Sequence, residues 1–216
     1  MTGRDHGLVF VISGPSGSGK GTVISELAKI YPKTDVAVSA TSRKPREGEK
    51  EGVNYFYKTR KQFEKLVKDG EILEHTEYNG NYYGTLKSET KRIMDEGNDV
   101  ILEIEVDGCS QVKRLLGDSC VTIMLTAPDR AELERRLRGR GTETEEEIQK
   151  RLSRALFEVS QTPNYEYLLI NETDRADECA KDLLSVIRAE HLRTARSSEV
   201  FEEGYGSGSE NITKEK

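Results

Sequence analysis

The chain has 216 residues, 33% of them charged, and a formal net charge of −6. This length allows one globular domain with its own core. The acidic balance argues against a general nucleic-acid or membrane-surface binder, because such proteins need an excess of basic residues. Any anionic ligand must therefore meet positive charge that is clustered locally.

Residues 8–12, the longest apolar stretch near the start, are too few to cross a bilayer and lack the layout of a secretory signal. We therefore expect a cytoplasmic protein. The three cysteines, Cys109, Cys120 and Cys179, are an odd number without CxxC spacing. This pattern favours neither a disulfide framework nor a zinc site, and predicts buried thiols in a reducing compartment.

The first predicted element is a strand over Leu8–Ile12, a run of β-branched and aromatic residues followed at once by glycines. A helix is predicted next and should end near Ile30, because Pro32 follows closely. Its apolar residues recur at helical spacing and are Val23, Ile24, Leu27 and Ala28. The chain therefore opens with a strand, a glycine loop and a helix.

Three further buried strands are predicted at Val100–Ile104, Val121–Thr126 and Tyr167–Ile170. Helical stretches such as Leu86–Glu96 and Arg175–Leu192 alternate with them. Alternation of this kind is typical of a mostly parallel sheet covered by helices, so the predicted fold class is α/β.

Two stretches interrupt this alternation. Residues 38–85 hold many tyrosines and a helix candidate that opens with the capping box Thr59–Gln62 and closes at Gly70. Residues 135–160 concentrate arginine, glycine and glutamate, and a second capping box, Thr144–Glu147, precedes an apolar stripe. The predicted stripe is Ile148, Leu152, Leu156 and Val159. We expect a small inserted subdomain and a separate helical segment.

The end of the chain is polar and has no hydrophobic period. Residues 193–216 contain few apolar side chains and several glycines and serines. A segment of this composition buries too little apolar surface to order itself, so we predict a disordered tail.

A phosphate-binding loop is predicted between the first strand and the first helix. Glycines let backbone N–H groups turn toward one centre, the helix N-terminus adds partial positive charge, and a lysine supplies a point charge for the β and γ phosphates. The residues of this loop are Gly14, Pro15, Ser16, Gly17, Ser18, Gly19 and Lys20. The alternative is a flexible turn with a solvated lysine, and the flanking strand and helix disfavour it.

The position after Lys20 departs from the usual P-loop pattern. It is Gly21 where the pattern has Ser or Thr, and Thr22 comes one residue later. Phosphoryl transfer needs neutralised phosphate charge, so we expect Mg²⁺ to accompany ATP. Either Thr22 or water would then hold the ion.

A basic turn in the insert is a candidate site for a second phosphate. Arg43 and Arg46 lie three residues apart around a proline, and two guanidiniums at this spacing match the oxygens of one phosphate. Tyr55 and Tyr83 add neutral hydroxyl donors. The alternative interpretation is a solvated basic loop.

Five motifs in order, from the P-loop to Arg-Gly-Arg-Gly-Thr-Glu at 138–143, make the chain similar to the guanylate kinase family from about residue 7 to 190. The other three motifs are Ser39–Arg46, Asn81–Thr85 and Ile101–Glu105. The resemblance implies a three-layer P-loop kinase fold, with a GMP-binding insert at 38–85 and a mobile lid at 135–160. Its core would comprise residues 7–37, 86–134 and 161–190. It implies transfer of the γ-phosphate of ATP to GMP, with dGMP as a candidate second acceptor.

The same resemblance implies the residues that bind the acceptor. Those facing the guanine would be Ser39, Glu74, Thr85 and Glu105, and those holding the GMP phosphate Arg43, Arg46, Tyr55 and Tyr83. The chemistry agrees for Glu74, because a carboxylate accepts from both N1–H and the exocyclic amine of guanine. Adenine has an acceptor at N1, and such a mismatch is worth a factor on the order of 10⁴. Glu105 replaces a frequent Asp, Thr85 a frequent Ser, and Asp107 a frequent Gln for which we have no functional account.

Arginines of the 135–160 segment are candidates for the donor site. The resemblance assigns Arg136, Arg140 and Arg151 to a lid that closes over ATP and, with Lys20, carries the rate. The remaining two, Arg135 and Arg138, are predicted to pair with nearby acidic residues. Asn171, after the last predicted strand, is either an adenine contact or a simple turn residue.

Two other functions are compatible with parts of this pattern. A guanylate-kinase-like protein-binding module without catalysis predicts a damaged P-loop, whereas the loop here is intact. An adenylate-type kinase suits Gly-Lys-Gly-Thr22 but not the acceptor motifs. The oligomeric state stays open at this point, and no nucleic-acid or membrane partner is expected.

Overall fold

The computed structural model describes residues 7–139 and 144–196. Its strands are β1 (Val9–Ser13), β2 (Thr34–Val36), β3 (Ala40–Thr41), β4 (Phe56–Tyr57), β5 (Ile72–Tyr78), β6 (Asn81–Leu86), β7 (Asp99–Glu103), β8 (Cys120–Thr126) and β9 (Tyr167–Ile170). Its α-helices are α1 (Lys20–Ile30), α2 (Arg60–Lys68), α3 (Lys87–Asp95), α4 (Val106–Leu116), α5 (Arg130–Arg138), α6 (Glu145–Ser160) and α7 (Ala176–His191).

The main sheet is parallel throughout, with strand order β2-β7-β1-β8-β9. β1 is central, and Val9 lies opposite Val100 of β7 and Cys120 of β8. All of β1 is buried, as expected for an uninterrupted apolar run in a strand that is covered on both faces. The predicted α/β class with a mostly parallel sheet is confirmed.

Two hydrophobic clusters cover the two faces of this sheet. Phe10 and Ile12 of β1 pack with α1 and α7, while Val9 and Val11 point to the opposite face and pack with α3 and α4. The split follows from the period of two along a strand. The resulting three layers fix the carboxyl end of β1, where the glycine loop begins.

The insert has a sheet and a small core of its own. Its four strands follow the order β4-β3-β6-β5, with one parallel pair and two antiparallel pairs. Phe63 of α2 is fully buried there with Ala40, Ile72 and Leu86. The predicted capping box of Thr59 and Gln62 is present at the start of α2.

Helices α5 and α6 pack on each other around Leu133, Leu137 and Leu152. The predicted capping box at Thr144 is present, but the predicted apolar stripe of α6 was wrong at Leu156. Leu156 is 37% exposed, and the buried side chains there are Ala155 and Glu158. The reason is that the face turned inward borders a polar cleft, where a short residue and a paired carboxylate fit.

The chain is ordered slightly further than predicted. Residues 194–196 form a 3-10 turn, and the Arg196 guanidinium contacts the buried Glu190 carboxylate at 3.0 Å. This ion pair corrects the predicted start of the tail at residue 193. Residues 197–216 of the predicted tail lie outside the described part. Within the described residues, no helix is long and apolar enough to span a bilayer.

Cys109, Cys120 and Cys179 are buried and free, as predicted. Burial raises the pKa of Cys120 and of Cys179 to about 11. We therefore expect no reaction of the native protein with a thiol reagent at pH 8 within minutes, and three reactive thiols per chain in denaturant, by absorbance titration. Fast labelling of the native chain would contradict this burial.

Candidate active site

The glycine loop joins β1 to α1 with little spare room. Gly19, the N-cap of α1, has φ 87°, and a Cβ there would lie 2.3 Å from the side-chain nitrogen of Asn171. A Cβ on Gly14 would lie 1.9 Å from the Leu125 carbonyl oxygen. The Lys20 ammonium donates to the Gly14 carbonyl at 2.6 Å. Only glycine fits at these two positions, so the loop can curl with its amides facing one centre.

Arg136 and Asn171 hold the glycine loop in place through hydrogen bonds to its backbone. The Asn171 amide nitrogen donates to the Ser18 carbonyl at 2.8 Å, and Arg136 donates to the carbonyls of Ser18 at 3.3 Å and Asn171 at 2.9 Å. Glu132 accepts from Arg136 at 2.6 Å. Hydrogen bonds from Arg135 first, and from Arg136, lower the pKa of Glu132 to about 2.

These contacts locate several predicted donor-site residues. Arg136 lies against the P-loop. Asn171 is buried next to the same loop, and the adenine contact proposed for Asn171 stays a prediction. Arg135 pairs with Glu132, and Arg138 pairs with acidic residues on α5 and α6, which confirms their predicted surface pairing. Arg140 lies outside the described residues.

One cavity of about 810 Å³ extends from the P-loop to the insert. It contains Lys20 and Thr22 on one side and Tyr55 and Glu105 on the other, with Arg151 of α6 above. Its P-loop lining consists of Gly14, Pro15, Ser16, Gly17, Gly19, Lys20, Gly21 and Thr22. Residues predicted for the donor and the acceptor therefore share one space of a size that ligand sites commonly have.

Glu74 of β5 is a carboxylate buried at the base of the insert, with 5% of its surface exposed. The Thr85 hydroxyl donates to one of its oxygens at 2.8 Å. A Cβ on Gly108 of α4 would lie 2.8 Å from the other oxygen, so a larger residue there would displace the Glu74 carboxylate. Burial, and to a lesser degree the charge of Glu105, raise the pKa of Glu74 against the opposing hydrogen bonds from Thr85.

Gln111 of α4 attaches the insert to the core. Its amide accepts from the His75 N–H at 3.1 Å and donates to the His75 carbonyl at 3.0 Å. Such a two-sided clamp on the residue next to Glu74 fixes the position of β5 against α4. No sequence signal pointed to this role, because Gln111 belongs to none of the recognised motifs.

A carboxylate holds the basic turn together. The two oxygens of Glu49 accept from the two terminal nitrogens of Arg43, each at 2.9 Å. The same residue accepts from the Arg46 backbone N–H at 2.7 Å and the Tyr57 hydroxyl at 2.9 Å. The bonds from Arg43 first, then from Arg46, lower the pKa of Glu49 to about 2. Sequence reasoning missed Glu49, although it stands three residues after Arg46.

The other predicted acceptor residues lie around this turn. The rings of Tyr55 and Tyr83 meet edge to face at 5.9 Å, and the Arg43 guanidinium lies 5.4 Å from the Tyr55 ring centre. Ser39 is half-buried, and its carbonyl accepts from the Phe56 N–H at 2.9 Å. The Arg46 residue is exposed on the turn. The structure thus brings together the two tyrosines and Arg43 and leaves the Arg46 side chain toward solvent.

Oxygen donors near the P-loop suit a magnesium ion held mainly by phosphates. Thr22 and Glu103 line the cavity beside Lys20. Among residues 7–139 and 144–196, no cluster of three or more His, Cys, Asp or Glu side chains has a metal-binding arrangement. Mg²⁺ commonly keeps several waters and uses one or two protein oxygens, so this sparse set fits an ion that arrives with a nucleotide.

A parallel sheet, a P-loop after its central strand and a second polar pocket on the same cavity define a P-loop kinase with its own acceptor site. The family model described as guanylate kinase matches residues 7–190. The chain belongs to the guanylate kinase family.

Individual relatives agree with the family match. The chain is 43% identical to a guanylate kinase of Shouchella clausii, covering 93% of this chain and 96% of that protein. It is 48% identical to one of Streptococcus agalactiae, covering 89% and 91%. The crystal structure of guanylate kinase from Anaplasma phagocytophilum superposes with a TM-score of 0.70 at 29% identity, covering 94% of this chain and 97% of that chain.

Because Glu74 is buried, we predict that its carboxylate destabilises the folded state by an amount that depends on pH. Its raised pKa means that the folded state disfavours the carboxylate, a cost present above the folded pKa and absent below the unfolded value of about 4.3. We expect Glu74→Gln to raise Tm at pH 7.5 by about 2–4 °C, from roughly 1 kcal/mol. The gain should vanish near pH 4 in calorimetry. An equal gain at both pH values would contradict a buried charge.

Proposed function

We propose that this chain transfers the γ-phosphate of ATP to GMP, giving ADP and GDP, through the residues described above. The observation that supports it most is the shared cavity, since Lys20 of the P-loop and Tyr55 and Glu105 of the acceptor side line the same space. A kinase needs both nucleotides in one water-poor site, with the acceptor oxygen aligned on the γ-phosphate.

On the donor side, the P-loop amides and the N-terminus of α1 surround the ATP phosphates. Lys20 exchanges its bond to the Gly14 carbonyl for phosphate oxygens. Arg136 fixes the loop and reaches the same phosphates from beside it, and Arg151 and Arg140 act from the lid. Thr22, directly or through water, would hold the Mg²⁺ ion, which supplies neutralisation of phosphate charge when bound.

On the acceptor side, Arg43, Arg46, Tyr55 and Tyr83 hold the GMP phosphate. Arg43 already points two donors at a pair of oxygens, those of Glu49, in the geometry that a phosphate needs. Tyr55 and Tyr83 lie against this guanidinium and add hydroxyl donors. Arg46 reaches the phosphate from the exposed side of the turn.

The guanine is held by Glu74 and Thr85, with Ser39 and Glu105 completing the pocket. The Glu74 oxygens accept from guanine N1–H and its amine, and the Thr85 bond keeps the carboxylate oriented. Adenine would place an acceptor against this carboxylate and leave buried polar groups unmatched.

The transfer step needs no nucleophile or base from the protein. The phosphate of GMP is largely doubly ionised above pH 6, so its oxygen attacks the γ-phosphoryl group directly and in line. Lys20 and the lid arginines stabilise the charge on the transferring group. We also propose a cytoplasmic location, which the three free cysteines favour because reducing compartments keep thiols unpaired.

An acceptor panel tests the proposal. With ATP and Mg²⁺, ADP formation should be fast with GMP, slower with dGMP, and at least about 10³-fold slower in kcat/KM with AMP or UMP. Glu74→Gln should lose most of the preference for GMP over AMP. Equal turnover of AMP and GMP would favour an adenylate-type kinase, and no turnover with any acceptor would favour a binding module.

Lys20→Ala tests the donor site. Loss of the ammonium should lower kcat for GDP formation by about 10²–10³-fold, because one preorganised charge at the transferring group is worth that much. Lys29→Ala, on the same helix but paired with Glu26 at the surface, is the matched control and should stay within twofold. Similar losses in both variants would point to helix damage rather than to phosphate binding.

A further inference from the structure

Arg154 joins the lid helix to the guanine side of the cavity, and no sequence motif pointed to it. Its terminal nitrogen contacts a Glu105 oxygen at 2.6 Å, across 49 residues of chain. Arg154 lies on α6, whereas Glu105 is the N-cap of α4, after the strand that borders the P-loop strand. Both side chains line the shared cavity.

The Arg154 guanidinium is itself fixed from behind. Its Nε donates to Glu158 at 3.1 Å, and that carboxylate is buried with 6% of its surface exposed. Burial raises the pKa of Glu158, against the opposing bond from Arg154. A guanidinium anchored at one end on a buried acid can present its other end to Glu105 in one orientation.

Glu105 needs such a partner more than Glu74 does. Its side chain is 55% exposed and hydrogen-bonds to no group of its own helix cap, whereas Glu74 is enclosed and bonded to Thr85. A glutamate has several rotatable bonds, so an untethered carboxylate loses entropy when it orients toward a ligand. Arg154 removes part of that loss before the ligand arrives.

We propose that Arg154 is a positioning residue that holds Glu105 in place for the guanine and so couples the lid helix α6 to the acceptor pocket. The inference rests on the proposed function, because it assigns Glu105 to the guanine. It adds a link between donor and acceptor sites. The contact ties the position of α6 to the orientation of the Glu105 carboxylate.

The contact between Arg154 and Glu105 also affects the electrostatics of the proposed guanine pocket. Glu105 faces Glu74, and Arg154 faces Glu105, Glu158 and Asp107, while Lys20 acts on Glu158. The positive charge of Arg154 offsets the negative charge of Glu105, which otherwise acts on Glu74. Its loss should raise the pKa of Glu74 further, and the acid limb of kcat/KM for GMP should move to higher pH because the pocket needs the carboxylate.

Steady-state kinetics of Arg154→Ala test the proposal. We expect KM for GMP to rise about fivefold to tenfold, with KM for ATP and kcat within twofold, and Arg154→Lys to recover part of the loss. Lys150→Ala, which removes an exposed charge paired with Glu146 on the same helix, should change none of these constants. Thermal unfolding of Arg154→Ala should show a lower Tm, because the buried Glu158 carboxylate loses its partner. A rise in KM that is confined to GMP separates the positioning role from this loss of stability.

A double-mutant cycle separates positioning from direct binding. In a Glu105→Gln background, Arg154→Ala should no longer change KM for GMP or the acid limb of the pH profile. An equal rise in both backgrounds, or a rise in KM for ATP instead, would overturn the inference. If the parent enzyme does not phosphorylate GMP, the proposed function fails; if it does and Arg154→Ala leaves KM for GMP unchanged, only this inference fails.

Discussion

The rest of the fold depends on one constraint. The loop at the carboxyl end of β1 must hold several backbone N–H groups close enough together to bind phosphate. The loop there must curl so tightly that a Cβ on Gly14 or Gly19 would collide with Leu125 or Asn171. Those contacts require β8 to lie beside β1, and β9 to lie beside β8, in parallel register. The packing of helices on both faces of the sheet therefore fixes the conformation of a few backbone amides. These amides can bind an anion only when the loop keeps them directed toward one centre.

The proposed acceptor pocket has a different physical basis, which is the burial of the single Glu74 carboxylate. Enclosing Glu74 disfavours its charged form, as its raised pKa shows. Thr85 offsets part of that cost, and Gly108 and Gln111 allow β5 to approach α4 closely enough to enclose it. An enclosed acceptor that lacks a full set of donors discriminates strongly among bases, because only a ligand with matching N–H groups completes it. In the proposed function, the stability lost by burying Glu74 is exchanged for selectivity among bases.

Local patterns in the sequence predicted four of the five main-sheet strands and several helices, but not β2, the four strands of the insert, α4 or the contacts between side chains. β1, α1 and β9 follow from apolar runs, glycines and a proline that act within a few residues, and both capping boxes are equally local. The roles of Glu49, Gln111 and Arg154 depend on contacts that form only in the folded chain. From sequence alone, a charged residue outside a motif is most simply interpreted as a solvent-exposed surface residue. Leu156 was misplaced for the same reason, since α6 turns toward a polar cleft and not toward a second apolar core.

The chain carries a net charge of −6, yet the proposed reaction requires it to bind two polyanions, and the pairing of its arginines shows how these demands coexist. Three arginines assigned to the site or to its support are each held by carboxylates: Arg43 by Glu49, Arg136 by Glu132, and Arg154 by Glu105 and Glu158. The acids keep the guanidiniums oriented and limit their mutual repulsion before nucleotides arrive. In the proposed function, an entering phosphate or guanine would meet groups that are already oriented. It would replace or share carboxylate contacts instead of ordering free side chains, so less entropy would be lost on binding.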